Sequence, residues 1–255
     1  MVSAKFRRHP RGLRNHFAAT SYPRRAAKLA STLRFSTSIL RHISGNFRRK
    51  STTLYKKAAK FSQQKADSAS GIFVNQHKYI QDLITLTGLK DTSSVDTPME
   101  VNVKYRKDEG DLLDDPTLYR RLVGSLIYLT TTRPDISYAV HQVSQFMTSP
   151  RRLHLAAAQR IIRYLRGSPT RGLFFPTGSS LQLVAYSDAD WAGCPDTCRS
   201  TTGWCMFLGD ALISWRCKKQ DRVSKSSTEV EYHAMSTACF EIVWLRGLLE
   251  ELGFP

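Results

Sequence analysis

The sequence predicts a mixed α/β protein: a disordered basic leader, a helical segment, and then three antiparallel strands followed by one long helix. Three observations carry that prediction. The net charge of +17 over 255 residues is concentrated at one end, proline-initiated amphipathic stretches fill the middle, and the later part turns to β-favouring runs separated by turn residues. With 41% hydrophobic residues the chain has enough apolar side chains for a real core.

The leader comes first. Residues 1–66 contain ten Arg and seven Lys with no Asp or Glu, whereas residues 67–255 contain 21 basic and 21 acidic residues, so the leader carries all of the net charge. Its Arg-, Ser-, Thr- and Ala-rich, acid-free composition fits an organelle transit peptide or a disordered basic arm, and it has no continuous apolar core of the secretory kind. Leu29, Leu33, Leu40 and Ile43 recur at near-helical spacing with Arg25, Arg34 and Arg41 off that stripe. This suits a short helix forming on an anionic surface or a receptor, the alternative being a segment that never folds. The partners implied are organelle import machinery and, nonspecifically, nucleic acid. No apolar run approaches the roughly 20 residues that span a bilayer.

A domain boundary falls between residues 62 and 70, where acidic residues return. "QHKYIQDLITLTGL" is an amphipathic helix, followed by a polar linker with Pro98. In "DDPTLYRRLVGSLIYLTTT", Asp115 is a helix N-cap and Pro116 occupies the first helical position, where a missing N–H does no harm. "RPDISYAVHQVSQFMTSP" repeats the device with Pro134. "RRLHLAAAQRIIRYLRGSP" adds another helix ending near Gly167 and Pro169. Residues 70–175 therefore read as a helical segment. Past them, "LQLVAYSDADW", "TTGWCMFLGD" and "ALISWRCKKQ" read as three strands, the last two joined by a turn at Gly209. "SSTEVEYHAMSTACFEIVWLRGLLEELG" closes the domain as a long helix. Glu231 there shares a row with Met235, Ala238, Ile242, Leu245 and Leu249, while Glu229 is rotated from it by about 200°.

The five cysteines, Cys194, Cys198, Cys205, Cys217 and Cys239, form an odd set without a C-x-x-C pair. They read as mostly free thiols in a chain not shaped by an oxidising compartment. His141, His154 and His233 have no partners at metal-ligand spacing and read as structural or solvent-exposed. The Asp114–Asp115 pair precedes a Pro-initiated helix and reads as a cap. A P-loop and a G-x-S-x-G elbow are both absent.

Three strands and a helix in this order, with an Asp on the first strand and a Glu at the start of the helix, resemble the ribonuclease H fold. In detail, "YSDADWAGCPDTCRSTTGWCMFLGDALISWRCKKQDRVSKSSTEVEYHAM" is similar to the ribonuclease H domain of copia-type retrotransposon polyproteins. The likeness extends upstream through "DDPTLYRRLVGSLIYLTTTRPDISYAV" to about residue 70, where that family carries the end of its reverse transcriptase. It implies a reverse-transcriptase-derived segment over 70–175 and a truncated ribonuclease H-like domain over 180–255. It also implies metal-ligand roles for Asp188 and Glu231, with magnesium as cofactor only if the nuclease site is active. The family's further carboxylates lie beyond "EELGFP", so Asp188 and Glu231 are expected to be vestigial, with no catalytic residue and no resident cofactor. Asp190 reads as a solvated strand end. "LQLVAYSD" is expected to be an exposed apolar edge unless another segment covers it.

A second resemblance sits in the leader. "RGLR", Arg11, Gly12, Leu13 and Arg14, resembles the translocation motif of secreted RxLR effectors of oomycete plant pathogens, and "RYLR" repeats it at Arg163 to Arg166. It implies a non-catalytic, retroelement-derived effector that is secreted, enters plant host cells, reaches an organelle or the nucleus, meets a host protein and suppresses defence or cell death. The alternative is an intracellular fragment of a copia-type polyprotein, inactive or cleaving RNA in RNA–DNA hybrids.

Overall fold

The computed structural model describes residues 5–8 and 64–254, with side-chain surroundings from residue 68 onward. The mixed α/β class is what it shows, with helices and two sheets. The leader strand β1 (Lys5–Arg8) belongs to the second sheet. The first sheet orders β2 (Gln64–Ser68), β3 (Gly71–Asn75) and β4 (Gly172–Pro176), all antiparallel. This sheet is additional to the helical segment expected over 70–175. Its strands have five residues each, too few to display alternation, and β4 pairs with a strand that lies far away in sequence. The approach is close: a Cβ on Gly172 would collide with the Val74 carbonyl oxygen, so only glycine fits.

Between β3 and β4 lie α1 (His77–Leu86), α2 (Pro116–Leu129), a 3-10 turn at Pro134–Ile136, α3 (Ser137–Ser144) and α4 (Arg152–Gly167). Asp115 caps α2 as expected, its side chain accepting from the Thr117 N–H at 2.8 Å. The Pro134 start is a 3-10 turn that runs into α3 rather than a helix from the proline itself. The helices bury Ile80, Tyr119, Leu126, Ile136, Ile161 and Leu165 in one core. Within it Arg133, 1% exposed, donates twice to the Asp135 carboxylate at 2.8 and 2.9 Å and also to the Ser168 carbonyl at 2.7 Å. Its guanidinium carbon lies 5.7 Å from the Tyr164 ring centre.

The second sheet has the order β1, β5 (Leu183–Ala189), β6 (Thr201–Leu208) and β7 (Ala211–Lys219). The three strands expected from sequence form the antiparallel β5–β6–β7 meander, with the β6–β7 turn at Gly209 in the left-handed region at φ +57°. The edge expected to lie open is covered. Strand β1 runs parallel to β5, Lys5 opposite Val184 and Arg8 opposite Ser187. An edge strand's unpaired N–H and C=O groups are a template for any extended segment, and here part of the otherwise unstructured-reading leader supplies it. Helix α5 (Ser227–Glu251) lays Ala238, Ile242 and Leu245 on Leu183, Ala185, Trp204 and Met206. The two cores meet where the Trp215 indole N–H donates to the Thr130 carbonyl at 3.0 Å. Among the described residues, no helix is long and apolar enough to cross a membrane.

Candidate functional site

The strand pleat decides where Asp188 stands. Leu183, Ala185 and Ser187 are buried on the α5 side of β5, so Asp188, on the alternate parity with Val184 and Tyr186, projects from the other side and is exposed. It lies opposite Gly203 near the strand end. Asp190 is not a solvated strand end: it is half-buried, and its Oδ1 accepts from the Thr201 N–H at 2.7 Å and the Gly193 N–H at 3.2 Å. It staples the loop after β5 to the start of β6.

On α5, the row that packs on the sheet begins with Val230 and Ala234 and continues through Ala238, Ile242, Leu245 and Leu249. Glu231 sits one residue round from that row and is half-buried, at the flank of the packed face. Glu229, also half-buried, folds back over the start of the helix. Its carboxylate accepts from the Lys225 N–H at 2.7 Å while its own N–H donates to Ser226 Oγ at 3.2 Å, a reciprocal cap.

A two-metal nuclease centre needs several carboxylates converging on one point, because hard divalent cations are held by charge and by oxygen count together. Among the described residues, no group of three or more His, Cys, Asp or Glu is placed to hold a metal ion. Asp190 has one oxygen committed to two backbone donors. The described residues therefore bring together too few carboxylates to fit a magnesium pair.

The histidines take packing positions. His154 is buried and stacked on Phe146, with ring centres 3.8 Å apart. Its Nδ1 accepts from the Arg151 N–H at 3.0 Å, so Nε2 carries the proton and donates to the Arg106 carbonyl at 3.0 Å. His141 is held down to about 4 by burial and by the neighbouring Lys219 charge. His233 Nδ1 lies 3.3 Å from Ser224 Oγ. One grouping escaped sequence reasoning, the meeting of Cys194 with Lys219, whose Nζ is 2.8 Å from the sulfur; nothing in their spacing signals it, since the β6–β7 hairpin brings them together. Residues Arg11, Gly12, Leu13 and Arg14 lie outside the described residues.

Over 184 residues the chain is 48% identical to the retrovirus-related Pol polyprotein from transposon RE1 of Arabidopsis thaliana, a match covering 72% of this chain and 13% of that polyprotein. It is 42% identical over 175 residues to an uncharacterized mitochondrial protein of the same plant, covering 69% of this chain and 72% of that protein. It is 47% identical over 128 residues to secreted RxLR effector protein 161 of Plasmopara viticola, covering 50% of this chain and 90% of that protein. No family model and no solved structure matches the chain. These likenesses overturn the expectation of a secreted effector. Pol polyproteins match 72% of the chain at 46% and 48% identity, whereas the effector likeness is confined to half of it. Host-cell entry and suppression of defence fall with that reading.

Proposed function

The chain belongs to the family of copia-type retrotransposon Pol polyproteins, and from that membership we propose that it is an intracellular retroelement piece in which a reverse-transcriptase-derived helical segment is joined to a ribonuclease H-like module. The observation that carries this reading is the β5–β6–β7 meander under α5, with Asp188 near the end of the first strand and Glu231 in the second turn of the helix. In that position the module serves as a folded platform beside nucleic acid and does not cut RNA by itself. Two carboxylates on different sides of the pleat hold too little charge and too few oxygens to bind magnesium productively.

Calorimetric titration of the full chain with Mg²⁺, alone and with an RNA–DNA hybrid present, tests this. The expected outcome is no saturable binding through the millimolar range. Saturable binding that both Asp188→Asn and Glu231→Gln abolish would overturn it.

A further inference from the structure

The loop between β5 and β6 carries a thiol in an environment that favours its charged form. Cys194 is half-buried where this loop meets β7 and α3. Lys219 Nζ, from β7, donates to the sulfur at 2.8 Å and to Oε1 of Gln145, the residue that caps the C-terminal end of α3, at 2.8 Å, so the ammonium is pinned between the two. The Thr197 hydroxyl and the backbone N–H groups of Thr197 and Asp196 add further donors from the turn that Cys194 opens. Burial pushes this thiol up, but Lys219 and those three donors outweigh it and hold Cys194 below the ordinary thiol range. From α3, His141 faces Lys219 as a neutral ring, depressed to about 4, and leaves the lysine as the charge beside the sulfur. The Asp196 carboxylate is engaged elsewhere, accepting the Lys107 N–H at 2.9 Å.

A second thiol stands at the other end of the same turn. The Cys198 N–H donates to the Cys194 carbonyl at 2.9 Å, and Cys198 is exposed. The remaining cysteines differ in kind. Burial pushes Cys205 up to about 11 and Cys217 up to about 12, the latter helped by Asp190, while Cys239 is exposed on α5.

We propose that Cys194 is a lysine-activated thiolate that reacts with hydroperoxides, and that Cys198 is its resolving partner. The thiolate attacks the terminal oxygen of the hydroperoxide; an S–O bond forms, the O–O bond breaks, and the alcohol leaves as its alkoxide, which takes a proton from water. The sulfur is oxidised by two electrons to a sulfenic acid and the peroxide is reduced. The Cys198 thiol then attacks that sulfur, forming the S–S bond and releasing water from the sulfenic oxygen and the thiol proton. The site depends on donors and a turn present in this chain, and it is independent of Asp188 and Glu231.

The test begins with the full-length chain and iodoacetamide at neutral pH, each cysteine followed by peptide mass spectrometry. Cys194 is expected to be alkylated about tenfold faster than Cys239, because thiolate fraction sets the rate. Lys219→Met is expected to remove that advantage and Lys219→Arg to keep most of it. Hydrogen peroxide is expected to yield a Cys194–Cys198 disulfide, and in Cys198→Ser a sulfenic acid on Cys194 trapped by dimedone. The comparison of Cys194 with Cys239 within the unsubstituted chain stands whether or not the variants fold. Alkylation no faster than at Cys239, or oxidation without a Cys194–Cys198 disulfide, overturns the proposal.

Discussion

Arg133 shows how far a single side chain is committed to this fold. Its charge is buried against Asp135, which the guanidinium keeps ionised against the cost of its own burial, and its remaining donors reach the Ser168 carbonyl and hydroxyl. Arg133→Met leaves that carboxylate without its counter-charge and is expected to cost roughly 3–5 kcal/mol in urea unfolding, because breaking a buried pair strands the partner. His141 acts through pH. Its folded-state value lies near 4, below the ordinary 6.5, so the unfolded chain binds the extra proton between those limits and stability falls as pH drops from about 6.5 toward 4. The loss attributable to this ring reaches up to about 3 kcal/mol. It is measurable as the difference in pH dependence between the natural chain and His141→Gln, which lacks the titration. By contrast, the Asp115 cap was legible in sequence, since a cap is written within three positions. Arg133 finds Ser168, and Cys194 finds Lys219, only after helices and hairpins have folded.

Helices were legible for the same local reason. A capping residue or proline at the start, glycine or proline past the end, and an apolar stripe between them are all short-range signals: α2 starts on Asp115 and Pro116, α4 ends at Gly167 before Pro169, and α5 starts on a Ser226 cap. The β5–β6–β7 meander was legible because consecutive strands pair with their sequence neighbours across a short turn. The β2–β3–β4 sheet was not, since its closing strand arrives after the whole helical segment. That sheet is tested at Gly172, where a methyl group would meet the Val74 carbonyl. Gly172→Ala is expected to cost about 1–3 kcal/mol, the usual penalty of overpacking, in denaturant unfolding. An unchanged midpoint would mean that β4 does not lie against β3. That Glu231 lies near the start of α5 was legible, but the packed row begins one residue earlier, at Val230 and Ala234, and the relation of Glu231 to Asp188 was not legible, because only the burial pattern of β5 reveals which face the aspartate takes.

At the scale of the whole molecule, a helical core and a sheet-and-helix core are joined through Trp215 and Thr130, and through Lys219 and Gln145. Family membership was legible from the long run around Asp188, and the Pol relatives bear it out over 72% of the chain. The effector reading drew on a four-residue match in an Arg-rich leader, a pattern so short that composition alone supplies it twice. Under the proposed function, Asp188, an exposed carboxylate on one side of a strand, and Glu231, at the flank of a helix, are what is left of a metal centre, and among the described residues no group of three or more His, Cys, Asp or Glu is placed to hold an ion. Incubating the purified full-length chain with Mg²⁺ and an end-labelled RNA–DNA hybrid, beside an Asp188→Asn control, tests this most directly. The expected result is an intact RNA strand in both reactions; cleavage by the natural chain that Asp188→Asn abolishes would contradict it.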